Sequence, residues 1–180
     1  MQSKTKYLAL SALCTALMIV GAYLRFPLPI LAVQFTTQVF FLLVTGLMLP
    51  PKYSTGALCA YMLLGLMGLP VFSQGGGLQT VFTFNFGYLL GFIFSAFLTS
   101  ILHQRWKKKK WGYILPALIG MLAVYAIALP YAALLAALYM AKPISFTVLM
   151  NGFFLTFLPL DIIKAAGAAL VAKQVQKALQ

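Results

Sequence analysis

The sequence predicts an all-α integral membrane protein in which six helices cross the bilayer as a single domain over residues 1–180. Composition is the first indication, because hydrophobic residues make up 63% of the chain and charged residues only 8%. A soluble globular domain is nearer half apolar and a quarter charged. Most of the apolar runs also approach the roughly 17–25 residues that a helix needs to cross a bilayer. The length leaves no room for a soluble module beside them.

The first predicted helix covers about residues 7–23. It begins like a signal peptide, but no convincing cleavage site follows, so we interpret it as a retained helix. The two prolines of RFPLPILAVQF break any helix and predict an extended or re-entrant segment. A short second helix, about 36–49, and a third, about 54–69, come next and are separated by two prolines.

Three consecutive glycines then interrupt the apolar pattern and predict a loop before the fourth helix, which covers about 86–102. The basic tract HQRWKKKKW separates this helix from a long fifth one, about 112–140, in which Pro130 predicts a kink.

The last apolar run is too long for one span, and Pro159 divides it. Because proline favours the first position of a helix, we predict an outer segment at about 146–157 and a sixth helix at about 160–178.

The basic residues predict that both chain ends are cytoplasmic. This arrangement places ten lysines and arginines inside and two, Arg25 and Lys142, outside, while Lys164 lies within a span. Lysine and arginine collect on cytoplasmic loops and set the orientation. The net charge of +12 therefore needs no nucleic-acid partner.

Asp161 is the only acidic residue of the chain, and it lies among apolar residues with Lys164 three positions later. Ionisable groups within a membrane span are costly, which makes the pair a candidate functional site. At this spacing the two side chains share a helix face and can pair. The alternative is that they only neutralise each other, helped by the preference of a carboxylate for a helix N-terminus.

The predicted topology brings further polar groups to the outer side, where the Asp161 pair begins the sixth helix. They are Gln38, Asn85 and Gln74, together with the loop glycines Gly75, Gly76 and Gly77. A carboxylate accepts hydrogen bonds from N–H groups, and a lysine attracts an anion. The pattern predicts a site for a small amphiphilic anion that carries amide-like N–H groups and a carboxylate. The glycines fit a gate or a close approach to the ligand as well as a plain turn.

The chain has little material for catalysis, since it holds one aspartate, no glutamate and one histidine, His103, which we place at the inner interface. The glycines are not followed by the lysine and hydroxyl residue of a phosphate-binding loop. Cys14 and Cys59 lie inside apolar runs without metal-binding spacing. We therefore expect no enzyme, no cofactor and no metal site.

The first helix carries two alanines, Ala12 and Ala16, separated by three residues. Small residues at this spacing let helices approach closely within a bilayer. The pattern fits contact with another protein as well as packing inside the same bundle.

Four segments in order resemble the BioY family, the biotin-specific S components of energy-coupling factor (ECF) transporters. They are VQFTTQVFFLLVTGLMLPPKYS, GLMGLPVFSQGGGLQTVF, NFGYLLGF and FLPLDIIKA. The resemblance covers nearly the whole chain and implies the six-helix S-component fold. It also implies capture of biotin from outside and docking on a transmembrane coupling protein driven by two ATPase subunits. It assigns substrate contacts to Asp161, Lys164, Gln38 and Tyr88, and the docking surface to Ala12 and Ala16.

This sequence departs from the family pattern at two places. Leu160 stands where the family usually has glycine, and Phe84-Asn85 stands where it has Pro-Thr, which puts a contact from Asn85 in question. Biotin also fits the chemistry reached from the residues, because it has ureido N–H groups, an apolar chain and a carboxylate. The alternatives are an S component for another vitamin and a stand-alone facilitator.

Overall fold

Helices make up most of residues 2–26, 35–139 and 143–178, which are the residues that this computed structural model describes. The α-helices in chain order are α1 (Gln2–Tyr23), α2 (Gln38–Met48), α3 (Pro51–Leu66), α4 (Phe84–Trp106), α5 (Ile114–Leu134), α6 (Phe146–Met150) and α7 (Leu158–Ala178). A 3-10 helix, Leu78–Phe82, precedes α4, and π-helical turns follow α5 (Leu135–Tyr139) and α6 (Asn151–Leu155). Two short strands, β1 (Arg25–Phe26) and β2 (Phe35–Thr36), pair antiparallel.

The helices lie where the sequence predicts them, but their ends differ by a few residues. Helix α1 begins at Gln2, five residues before the predicted start, since hydropathy marks the apolar part of a helix rather than its hydrogen-bonded end. Helix α3 begins at Pro51, where proline suits the first turn. Of the predicted extended segment RFPLPILAVQF, only the ends are described, as β1 and β2, and Lys142 lies outside the described residues.

Four helical segments of the described residues are long and apolar enough to cross a membrane, and they are Lys4–Tyr23, Phe84–Trp106, Ile114–Tyr139 and Phe146–Ala178. Helix α2 is also apolar but has only 11 residues, and it lies at the centre of the bundle. It packs against α1, α3, α4, α5 and α7, and its leucines Leu42, Leu43 and Leu47 are almost completely buried. A helix that is apolar all round belongs in such a position.

Helices α4 and α5 approach closely because α4 has glycines on the face that meets α5. A Cβ atom added at Gly91 would lie 2.7 Å from the carbonyl oxygen of Val124, and one added at Gly87 would lie 2.8 Å from Cβ of Tyr131. Small residues at a helix interface let the two backbones pack against each other within a bilayer. This contact positions the parts of α4 and α5 that reach the site described below.

We expect Gly91→Ala to lower the stability of the bundle by about 1–3 kcal/mol, because the added methyl group meets backbone rather than a side chain that can move. Thermal unfolding of the detergent-purified protein measures this as a lower melting temperature. Gly56→Ala in α3 is the matched control, since a Cβ atom there meets nothing within 4 Å and alanine is the better helix former. A melting temperature lowered equally by both substitutions would contradict close packing at Gly91.

Candidate ligand-binding site

One pocket lies where α2, α4 and α7 begin, with a wall from the middle of α5. It encloses about 620 Å³ of empty space, including open solvent at its mouth. Its polar lining includes Gln38, Gln74, Asn85, Tyr88, Tyr125, Asp161 and Lys164, and its apolar walls include Phe35, Phe72, Phe92 and Phe157. The fold therefore gathers residues that are up to 129 positions apart in the sequence, Phe35 and Lys164, around one cavity.

Asp161 is held in the first turn of α7, where its backbone N–H donates to the carbonyl oxygen of Phe157 at 3.0 Å. Its residue is only 4% exposed. One carboxylate oxygen, Oδ1, accepts a hydrogen bond from Nζ of Lys164 at 2.7 Å, and the other, Oδ2, accepts from the hydroxyl of Tyr125. The positive end of the helix dipole adds to the stabilisation of the carboxylate.

Lys164 connects the start of α7 to the start of α2. Its ammonium donates to the carbonyl oxygen of Thr36 at 2.6 Å and lies 3.7 Å from the ring centroid of Phe35, a cation–π distance. An ammonium has three N–H donors, and the contacts with Thr36 and Asp161 use two of them. The two side chains therefore do not only neutralise each other, since Lys164 also joins the start of α7 to the backbone before α2 at the pocket.

Tyr125 is a site residue that the sequence analysis did not single out. It lies in α5, donates to Asp161, and packs edge-on against Phe154 at 4.9 Å and against Tyr88 at 6.0 Å between ring centroids. The only sequence signal was a phenol in the middle of an apolar span, and tyrosines are common in this chain. Which tyrosine faces the carboxylate depends on how α5 packs against α7.

Gln38 and Tyr88 line the pocket, but both also make internal hydrogen bonds. The Gln38 amide donates to the hydroxyl of Tyr61 at 2.7 Å and accepts from Oγ1 of Thr36 at 3.2 Å. The Tyr88 hydroxyl donates to the carbonyl oxygen of Phe153 at 2.5 Å, so its hydrogen is used within the protein while its oxygen can still accept. Contact of either residue with a ligand stays a prediction, as it does for Asn85.

The glycine segment forms a tight turn beside the pocket. Phe72 and Gly75 exchange backbone hydrogen bonds of 2.9 and 3.1 Å, and Gly75 has a φ of 110°, in the region that favours glycine. A Cβ atom at Gly76 would lie 2.0 Å from the carbonyl oxygen of Leu69. Gly75, Gly76 and Gly77 are absent from the described lining of the pocket, whereas Ser73 and Gln74 are part of it. This geometry favours the plain turn over direct contact between the glycines and a ligand.

The end of α1 is attached to the same turn. The Tyr23 hydroxyl donates to the carbonyl oxygen of Pro70, and the Arg25 guanidinium donates to that of Ser73. These two hydrogen bonds cross the rim of the pocket from the first helix and its following strand. They hold the turn next to the cavity.

Ala12 and Ala16 lie away from the pocket on the outer surface of α1, and both are exposed. The packed face of α1 is a different one, on which the Thr15 hydroxyl donates to the carbonyl oxygen of Ala57 at 3.0 Å and Met18 is fully buried. The structure therefore does not support packing of the two alanines inside the bundle. It leaves their face open to lipid or to another protein.

Comparison with known proteins gives a consistent result. The model of the BioY family matches residues 1–180. A probable biotin transporter BioY from Lysinibacillus sphaericus is 32% identical over 177 residues, which are 98% of this chain and 89% of that protein. A biotin transporter BioY from Thermotoga maritima is 35% identical over 164 residues, 91% of each chain. A crystal structure of the S-component for biotin from an ECF-type ABC transporter superimposes with a TM-score of 0.85 at 26% identity, covering 98% of this chain and 93% of the other.

We expect Lys164→Met alone to destabilise the protein by about 3–5 kcal/mol, because it leaves the buried carboxylate of Asp161 without a cation. The double variant Asp161→Asn/Lys164→Met removes both charges at similar volume, so it should be clearly more stable than the single variant. Thermal unfolding of the three proteins in the same detergent checks this. Equal losses in the single and double variants would contradict a charge pair that depends on both members.

Proposed function

The chain belongs to the BioY family, and we propose that it binds biotin as the S component of an ECF-type ABC transporter. The main support is the superposition on a biotin S-component over nearly the whole chain, together with a pocket in which a buried carboxylate and an ammonium lie side by side. Families of this kind supply the substrate-binding part of a transporter rather than an enzyme. Capture from the outer side at high affinity is part of the proposal.

The pocket offers groups that match both the polar and the apolar parts of biotin. An ionised carboxylate has about four acceptor positions, and the described contacts of Asp161 use two of them. The ureido N–H groups of biotin can donate to Asp161 or to Asn85, while the third N–H of Lys164 can meet a polar or anionic atom. Phe72, Phe92 and Phe157 provide apolar walls for the rest of the molecule.

For the membrane arrangement, we propose a multi-pass protein of the prokaryotic cell membrane with six crossing segments and both termini in the cytoplasm. Helix α2 counts as one of the six although it is short, because it runs beside α7 from the pocket to the other end. Lys164 hydrogen-bonds to Thr36 before α2, and Gln176 hydrogen-bonds to Leu47 near its end, at 2.6 and 2.8 Å. The basic residues of the loop after α4 then lie opposite the pocket, as cytoplasmic residues should.

We also propose that the exposed alanine face of α1 docks on a transmembrane coupling protein, with ATP hydrolysed by two partner ATPase subunits. Ala12 and Ala16 are exposed and small, so a partner helix could approach the α1 backbone closely. A stand-alone facilitator is less well supported. Between the pocket and the basic end, the buried face of α7 consists of alanines, Ala165, Ala168, Ala169 and Ala172. The buried polar groups of α2 and α4 in this region are the neutral hydroxyls of Thr45, Ser95 and Thr99, and none of them is ionisable.

Calorimetric titration of the detergent-purified protein with biotin tests the proposed function. We expect one-to-one binding, weakened about ten- to a hundredfold by Asp161→Asn or Lys164→Ala, since a hydrogen bond to a charged group contributes about 1.5–3 kcal/mol. Tyr125→Phe should weaken binding less, because it keeps the ring but releases one carboxylate oxygen.

Lys173→Ala is the control, since Lys173 is exposed near the far end of α7 and its loss should leave the affinity unchanged. No binding by the unmodified protein would reject biotin as the ligand and favour another vitamin. Unchanged binding in the Asp161 and Lys164 variants would return that pair to a purely structural role.

Ala12→Leu/Ala16→Leu should abolish co-purification with the coupling protein while leaving biotin affinity intact, because the larger side chains prevent close approach of a partner helix. Ala60→Leu in α3 is the matched control, since Ala60 is also exposed. Co-expression with a coupling protein and its ATPases, followed by affinity purification, measures the effect. Normal assembly of the double variant would show that the partner docks elsewhere.

A further inference from the structure

A second pocket lies at the end of the bundle opposite Asp161, where α2, α4 and α7 end beside the start of α1. It encloses about 430 Å³, including open solvent at its mouth, and its polar lining comprises Tyr7, His103, Gln104, Lys107 and Gln176. None of these residues takes part in the biotin site. The loop that follows Lys107 carries three further lysines.

The floor of this pocket is a closed hydrogen-bond network. His103, predicted at the interface, is only 5% exposed, and its Nδ1 lies 2.7 Å from the carbonyl oxygen of Gly112. A carbonyl only accepts, so Nδ1 is the donor in this contact. The Gln176 amide nitrogen lies 3.4 Å from Nε2. The Gln176 carbonyl oxygen accepts from the Tyr113 hydroxyl at 2.7 Å.

Two backbone acceptors at the end of α2 are also occupied. The carbonyl oxygen of Leu47 accepts from the Gln176 amide at 2.8 Å, and that of Leu49 accepts from the Ser100 hydroxyl at 2.5 Å. The lining groups with no hydrogen-bond partner among the described residues are the Tyr7 hydroxyl and the exposed Gln104 amide and Lys107 ammonium. All three can donate hydrogen bonds, so the pocket presents donors to whatever enters it.

The charge of Lys107 has no carboxylate side chain available in this chain to balance it. The chain contains 13 lysines and arginines and one acidic residue, and that residue is paired with Lys164 at the other end. An anion at the second pocket would therefore meet the Lys107 ammonium and no acidic side chain.

We propose that this pocket binds the phosphate group of an anionic phospholipid of the cytoplasmic leaflet. A phosphate diester has one negative charge and oxygen acceptors, which match one ammonium and two neutral donors. Basic pockets between membrane helices on the cytoplasmic side are suited to phospholipid headgroups. The adjacent exposed side chains are also typical of the membrane interface, with Trp111 on the basic loop and Leu8 on α1. The assignment of this pocket to the cytoplasmic leaflet depends on the membrane orientation proposed above.

The test is native mass spectrometry of the detergent-purified chain with phosphatidylglycerol and with phosphatidylcholine, which has no net charge. Phosphatidylglycerol should bind as a discrete single molecule, and Lys107→Gln should weaken this binding about fivefold, the factor expected for one lysine near an anionic surface. Lys108→Gln removes the same charge one position away, outside the pocket lining, and should change the affinity less than twofold.

Three results would overturn the proposal. Equal weakening by both substitutions would mean diffuse attraction to the basic loop, and equal binding of phosphatidylcholine would mean that the phosphate charge is not recognised. Competition by inorganic phosphate at the same concentration would make free phosphate the ligand instead of lipid. Biotin titration of Lys107→Gln should match the unmodified chain. Failure of both proteins to bind biotin would reject the proposed function without altering the lipid result.

Discussion

A carboxylate inside an apolar bundle must have a cation and hydrogen-bond donors beside it, because an unpaired buried charge costs several kcal/mol. In this chain the buried carboxylate is that of Asp161, and three structural elements contribute to the hydrogen bonds around it. Helix α7 supplies Lys164, α5 supplies the Tyr125 hydroxyl, and the backbone before α2 accepts a hydrogen bond from the same lysine. These elements converge beside the cavity, and Asp161, Lys164 and Tyr125 all line it.

The two ends of the bundle differ in how their charges are balanced. At the Asp161 end, positive and negative charges balance within the chain, and the remaining hydrogen-bonding capacity faces a cavity with aromatic walls. At the other end, Gln176, Ser100 and Tyr113 each donate to one acceptor, and the charge that remains is positive. The first end suits a small molecule with both donors and an anionic group, and the second suits an anion at a membrane surface. One sequence with a single acidic residue therefore provides two chemically distinct environments.

The fold class and the Asp161–Lys164 pair followed from the sequence because hydropathy and charge scarcity are properties of local sequence. Pro159 also located a helix start, since proline acts on its own backbone, whereas the start of α3 at Pro51 lies three residues before the predicted one. Tyr125 could not be found in this way, because its role depends on the rotation of α5 relative to α7. The burial of His103 depends similarly on the return of the loop at Gly112. For Gly76, only the position of the Leu69 carbonyl oxygen shows why a side chain cannot fit.

The alanines of α7 have a thermodynamic consequence for its contact with α2. Alanine has no rotamers to lose on burial, so the two helices can be ordered against each other with little loss of side-chain entropy. No long side chain of α7 interlocks with α2 between Lys164 and Gln176, as Ala165, Ala168, Ala169 and Ala172 are the buried residues there. The hydrogen bonds at Thr36 and Leu47 join the two helices at both ends of this contact. Both would have to break before α7 could move by one turn along its neighbour.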